Sequence, residues 1–157
     1  MPLEGGSSRT TIAYLAGLFD GEGSISASPS PKSPNNYRID ITLAMCDIEG
    51  VELFAAVFGG KIRKQKRLTN AGRQVYVCSF FCKQAAEVLQ LMMPYLRIKR
   101  GRAENAVTLA TMMDRANAAR VREGGQIVDL EARHALGAEI RAANIANNGR
   151  LRRHAIS

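Results

Sequence analysis

The sequence predicts an α+β domain in which two hairpins form a four-stranded antiparallel sheet with all the helices on one of its faces. Three observations predict this. Two stretches alternate polar and apolar residues around turn residues, each stretch follows a segment with helical spacing, and helical spacing resumes after the second. Amphipathic strands and helices in that order bury their apolar sides against each other and leave the far face of the sheet polar.

The chain has 157 residues, 46% of them hydrophobic, with 22 Lys and Arg against 14 Asp and Glu, no Trp and three Cys. That length suits one domain with an appended tail, and the apolar fraction excludes a disordered or collagen-like chain. Apolar runs of only a few residues make a membrane span unexpected. The N-terminus has no basic and apolar regions of a secretory signal. Three Cys, an odd and sparse set, fit a reducing compartment better than a disulfide framework. The expectation is a soluble cytoplasmic or organellar protein that is not secreted.

Residues 1–8 read as a flexible leader. From about Arg9 to Gly21, Ile12, Leu15, Leu18 and Phe19 recur at helical spacing, with Ser8 as a candidate N-cap and Gly21 and Gly23 as the stop. The opposite side of this helix is small: Ala13, Ala16, Gly17, Asp20 and Gly21. Ser24, Ser26, Ser28 and Ser30 then alternate with Ile25 and Ala27 until a turn-rich stretch, 29–36, breaks the strand. Alternation resumes with Arg38, Asp40 and Thr42 against Ile39, Ile41, Leu43 and Met45. A helix over 48–58 follows, closed by Gly59 and Gly60. The second hairpin is predicted as Lys61 to Leu68, a turn over 69–72, and Arg73 to Phe81. Val75, Val77, Ser79 and Phe81 share one side of its return strand; Gln74, Tyr76 and Cys78 share the other. Helices are expected from about Lys83 to Met93, from about Ala103 to Asn117 and over 129–147. A break is expected at 123–125, and the end of the chain is basic.

The charge is uneven. Residues 1–60 carry a net −4, residues 61–102 a net +10, and residues 103–157 a net +2. A positive field concentrated in the middle of the chain suits a polyanion, and nucleic acid fits better than a membrane because no apolar helical stripe lies opposite the basic residues. A solvated basic face without a partner is the bland alternative.

The sharpest local feature is 15–23, Leu-Ala-Gly-Leu-Phe-Asp-Gly-Glu-Gly. Asp20 and Glu22 stand at a helix C-terminus, where each carboxylate costs on the order of 0.3–1 kcal/mol unless something positive compensates it. A hard divalent cation would do so; two exposed acids without a further role are the alternative. An EF-hand loop fails, because Ile25 and Pro31 stand where it needs Gly and Glu. Cys46, Cys78 and Cys82 form no C-x-x-C pair, the two His lie in the C-terminal third, and no nucleophile elbow or phosphate loop is present. The small side of the first helix admits close backbone packing. With no second such strip in the chain, its natural partner is the same helix of another copy, in a two-fold contact through Ala13, Gly17, Asp20 and Gly21. That contact would bring two Glu22 carboxylates together, which strengthens the case for a metal.

The nonapeptide 15–23 resembles the signature of the LAGLIDADG homing endonucleases. The order of elements, Phe58-Gly-Gly-Lys-Ile62, and Leu96-Arg-Ile-Lys-Arg100 before the next helix are also similar to that family. The similarity covers a core of residues 9–117 and leaves 118–157 as a C-terminal helical extension with a basic tail. The resemblance implies an αββαββα fold whose four-stranded sheet forms a saddle over the DNA major groove. It implies a homodimer, since one signature is present, acting on a long near-palindromic site as a divalent-metal-dependent endonuclease of the kind that serves intron homing. By position it implies Glu22 and the Gly21 carbonyl as metal ligands, Lys99 near the scissile phosphate and Asp47 as a holder of active-site water. Magnesium is the implied cofactor, with manganese as a substitute and calcium supporting binding without cleavage. A non-cleaving nucleic-acid binder of the same fold, an RNA maturase or a transcription regulator, is the other function it admits.

Strand parity nominates Ser24, Ser26, Ser28, Lys32, Arg38, Asp40 and Thr42 in the first hairpin for DNA contact. Lys61, Arg63, Gln65, Arg67, Arg73, Gln74 and Tyr76 are nominated in the second. Arg and Gln suit bidentate reading of G and A edges. Ten strand residues at about 3.3 Å each span about one turn of DNA, so two copies would read about 20 bp.

Overall fold

The computed structural model describes the backbone of residues 5–123 and 130–154 and the side chains of 9–33, 35–115 and 130–146. Its sheet has four antiparallel strands in the order β1-β2-β4-β3, where β1 is Gly23–Ser30, β2 is Ser33–Met45, β3 is Ile62–Lys64 and β4 is Tyr76–Phe81. The helices are α1 (Gly5–Glu22), α2 (Ile48–Phe58), α3 (Cys82–Met92), α4 (Arg100–Glu123) and α5 (Leu130–His154), with a 3-10 turn over Met93–Tyr95.

Helix α1 begins at Gly5, so Ser8 lies within it rather than capping it, and only residues 1–4 of the expected leader fall outside the described chain. It passes into β1 without a linker. A Cβ on Gly23 would stand 2.2 Å from the Phe19 ring, so only glycine lets the strand leave directly over that side chain. The first hairpin is there as expected, but its turn is confined to Pro31 and Lys32 rather than spread over 29–36. The pairing runs from Gly23 with Leu43 to Pro29 with Tyr37, then shifts to Ser30 with Ser33, so the surplus residues of β2 are absorbed as an irregularity. Proline is tolerated here because β1 is the outermost strand.

Helix α2 spans the expected residues, with Asp47 as its N-cap and Gly59 closing it in the left-handed region at φ 76°. Strands β3 and β4 are shorter than expected. Every residue over 61–68 is exposed, so that arm has no apolar row to bury. Single backbone bonds continue the hairpin, Gln65 N to Val75 O at 2.8 Å and Thr69 N to Arg73 O at 2.9 Å, around a turn in which Gly72 has φ 75°. Strand β4 enters α3 through Cys82, a non-glycine residue at φ 50°.

Between sheet and helices, Phe54 stacks on Phe19 at 6.0 Å and meets Phe58 and Phe80 edge-on. Ile25, Ile39, Ile41 and Leu43 bury the inner face of the first hairpin against Leu89, Met92 and Leu109. Helix α5, expected in an extension beyond the core, shares this core through Ile140. It is tied to α4 by Arg102 with Asn144 (2.7 Å) and Asn105 with Glu139 (3.0 Å), and to β1 by a bond from Asn144 Nδ2 to the Ile25 carbonyl at 2.7 Å. A Cβ on Gly137 would stand 2.4 Å from the Tyr37 ring, whose hydroxyl meets His134 Nδ1 at 2.6 Å. Gly137→Val is therefore expected to cost about 2 kcal/mol by overpacking, read as a lower urea midpoint at unchanged slope. Among the described residues no helix is long and apolar enough to cross a membrane. The expected break at 123–125 falls mostly outside the described residues, and the basic end of the chain continues α5 as far as His154.

Candidate functional site

The outer face of the sheet is built in rows set by the register. Ser28 lies across from Arg38, Ser26 from Asp40 and then Phe81, and Ser24 from Thr42 and then Ser79; Ala44, Val77 and Arg63 make the last row. The serines of β1 and Arg38 are exposed, and Asp40, Thr42 and Ser79 are half-exposed. Thr42 and Ser79 share a hydrogen bond at 2.9 Å, and Arg63 reaches Ser79 at 3.4 Å. Arg38 donates through Nε to Asp40 at 2.9 Å, and its guanidinium lies 4.3 Å from the centre of the Phe81 ring. Lys32 is exposed at the hairpin tip.

On the second hairpin Lys61, Arg63, Gln65 and Arg67 are all exposed, and the last three line a groove with Val77. Arg73 is exposed beyond the turn. Two nominated residues are corrected. Tyr76 pairs with Met45 and Lys64 on the side of Cys78 and Phe80, where it packs against the core. Gln74 spends its amide on the Gln65 and Val75 carbonyls, which braces the hairpin. Strand β4 carries apolar residues on both faces, so hydrophobic pattern alone assigns its sides ambiguously. The outward residues are Val77, Ser79 and Phe81. The sequence pattern places these three on one side of the strand, and none of them is among the nominated residues.

At one end of the sheet the signature acids part ways. The Asp20 carboxylate, 9% exposed, accepts the backbone N–H groups of Arg97 (2.7 Å), Ile98 (3.2 Å) and Lys99 (2.9 Å), the residues leading into α4. The Lys99 ammonium, only 6% exposed, donates to the Asp20 carbonyl at the C-terminal end of α1. Burial holds Lys99 below the ordinary lysine range and nearby Arg102 adds to this, while Asp20 and Glu22 pull the other way. The helix-end argument for a metal is thereby corrected at Asp20: its charge is answered by the positive end of α4 and by Lys99. Its carboxylate is turned into its own chain, whichever surface α1 presents to a second copy.

Glu22 is different. It is exposed as the last residue of α1, directly before β1, and its side chain makes no hydrogen bond or ion pair among the described residues. The Gly21 carbonyl lies in the same final turn, where helix carbonyls lack intrahelical partners. Ala13 is half-exposed, Gly17 and Gly21 are exposed, and a Cβ on either glycine would meet nothing within 4 Å. Asp47 uses one carboxylate oxygen to cap α2 through Glu49 N at 2.9 Å.

Among the described residues no three His, Cys, Asp or Glu side chains converge as a metal site. One carboxylate and one carbonyl are hard oxygen donors that suit magnesium or calcium, but they are too few alone. Within one copy, the chemistry of these donors suits a hard divalent cation, and a complete site would need further oxygen ligands.

No family model and no curated protein matches the sequence. Solved structures do. The chain is similar to the homing endonuclease I-CvuI, crystallised with its target in the presence of calcium, at 19% identity over 87% of this chain and 83% of that one, with a TM-score of 0.66. It is similar to the archaeal intron-encoded homing endonuclease I-Vdi141I, complexed with DNA, at 15% identity over 85% and 84% of the two chains and a TM-score of 0.64. It is similar also to the meganuclease I-SmaMI bound to uncleaveable DNA, at 20% identity and a TM-score of 0.59, over 81% of this chain and 43% of that one. At these identities the likeness is one of fold.

Proposed function

Starting from the fold of the LAGLIDADG homing endonucleases, we propose that two copies of this chain form a metal-dependent DNA endonuclease that cuts both strands of a long, near-palindromic site. The observation that carries this reading is the corner where α1, β1 and α4 meet. Glu22 is exposed and unpaired there among the described residues, and Lys99 is anchored two residues away on Asp20.

In the dimer, the paired Glu22 carboxylates and Gly21 carbonyls would hold the divalent ion, which would supply water activation and charge stabilisation at the leaving oxygen. Lys99 engages the Asp20 carbonyl with one ammonium proton and keeps two for the phosphate. Asp47 keeps its second carboxylate oxygen for water near the end of β2. The target is read by Ser24, Ser26, Ser28, Arg38, Asp40 and Thr42, with Lys32 at the hairpin tip and Lys61, Arg63, Gln65, Arg67 and Arg73 on the second arm. The direct test is incubation with a randomised pool of duplexes in magnesium, with the cut ends sequenced. Cleavage at a near-palindrome of about 20 bp is the expected result. Sequence-specific retention in calcium with no cutting in magnesium or manganese would make the protein a binder instead.

The two-fold contact has its own support. Gly17 lies in the interior of α1 over open space, and a helix-interior glycine costs about 1 kcal/mol against alanine. Nothing among the described residues requires it, whereas a second helix packed against it would. Gly17→Leu is expected to elute at half the wild-type mass in size-exclusion chromatography with its own fold intact; a Leu variant that still elutes as a dimer removes α1 from the interface.

A further inference from the structure

The outer face of the sheet carries arginine in two states. Arg63 is held only by the long bond to Ser79, and Lys61 and Arg67 have no side-chain partner among the described residues. Arg38 is fixed from two directions, by Asp40 at Nε and by the Phe81 ring under its guanidinium. Phe81 is a poor choice for such a face on packing grounds. It is 40% exposed, and its neighbour Phe80 already fills the core. The register puts Phe81 across from Asp40 and therefore diagonal to Arg38.

We infer that Arg38 is a preorganised reader of guanine, and that Phe81 is the positioning residue that makes it one; this rests on the reading of the sheet as the DNA-binding face. With Nε occupied by Asp40, the two terminal amino groups of Arg38 remain, and as a pair they match the N7 and O6 acceptors of guanine in the major groove. The Asp40 carboxylate beside them works against a phosphate contact, because it repels a second anion. A base edge, polar but uncharged, is the better ligand. Stacking on Phe81 removes in advance the rotamer freedom that a loose arginine gives up on binding. A two-fold dimer repeats this guanine once in each half-site.

The test is selection from a randomised duplex pool in calcium, so that binding is read without cutting, for wild type, Arg38→Ala, Phe81→Ala, Phe81→Leu, Phe81→Tyr and Arg63→Ala. Wild type is expected to prefer G at one symmetry-related pair of positions by about tenfold or more. Arg38→Ala, Phe81→Ala and Phe81→Leu flatten that position and leave the others readable. Phe81→Tyr, which keeps the ring, retains the preference, and Arg63→Ala, which removes a different contact, leaves the G at this position preferred even as overall affinity falls. Phe81→Leu keeps apolar bulk and carries the test if the alanine variant does not fold. Three outcomes overturn the inference: a wild type without such a position, a uniform loss of affinity in Arg38→Ala as for a phosphate contact, or a G preference that survives loss of the ring. A wild type that selects DNA but does not cut it in magnesium overturns the endonuclease reading and leaves this one standing. Cutting at a defined site with the G preference intact in Phe81→Leu overturns this one alone. A wild type that retains no duplex overturns both.

Discussion

Glu22→Gln is expected to lower cleavage by about a thousandfold or more while DNA affinity in calcium stays within about threefold of wild type. The substitution keeps size and shape and removes one negative charge at the end of α1. Because the Glu22 side chain is exposed and makes no hydrogen bond or ion pair among the described residues, and its pull on Lys99 is the smallest of the influences on that ammonium, stability is expected to stay within about 0.5 kcal/mol. Removing an acid also weakens no contact between the sheet face and phosphate. Single-turnover cleavage of a selected duplex in magnesium, alongside a binding titration in calcium, separates the two effects. A Gln variant that cuts at the wild-type rate would end the metal assignment.

Asp20→Ala is expected to act in the opposite way, on the fold first. Its carboxylate is the acceptor for three consecutive backbone donors at the entry to α4, and alanine leaves them without a partner in a nearly closed site. Charge-assisted bonds of this kind contribute about 1.5–3 kcal/mol, and a loss of about 3 kcal/mol is expected for the set. At a urea slope of about 2 kcal/mol per molar, the midpoint falls by about 1.5 M. Asp20→Asn keeps an acceptor of similar shape and is expected to lose about half as much. Because Lys99 hangs from the same residue, by its backbone N–H and its ammonium, cleavage is also expected to fall even at temperatures where the variant is folded. An Asp20→Ala protein with an unchanged midpoint would show that the cradle contributes nothing.

Legibility in the sequence follows the range of the interactions. Helix α2 and the inner and outer faces of β1 and β2 are local matters of capping and period, and they stand where Asp47, Gly59 and the alternating serines put them. The turn-rich look of 29–36 misled because a proline's cost depends on where its strand lies in the sheet, and that position is known only once the strands are ordered. The faces of β4 were ambiguous because valine and phenylalanine occupy one side of it and cysteine and phenylalanine the other. The role of Asp20 was out of reach for a different reason. Its partners lie 77 to 79 residues away, and no periodicity reports a carboxylate that meets the start of a distant helix. The seat of α5 on β1 and Tyr37 is hidden in the same way, apart from the single glycine at 137 that makes room for the ring.

The bond from Asn144 to the Ile25 carbonyl has a consequence for solubility. A four-stranded open sheet offers two rims to other chains, and a long bare rim is a template for intermolecular β-pairing. One rim here is β3, three residues long and flanked by exposed lysine and arginine. The other is the eight-residue β1, which would be the more dangerous of the two. Proline at position 29 and the overlying α5, with Asn144 occupying a carbonyl that a foreign strand would otherwise claim, act as its guard. The last described helix thus keeps a sheet whose outer face is left open from recruiting neighbours along its edge.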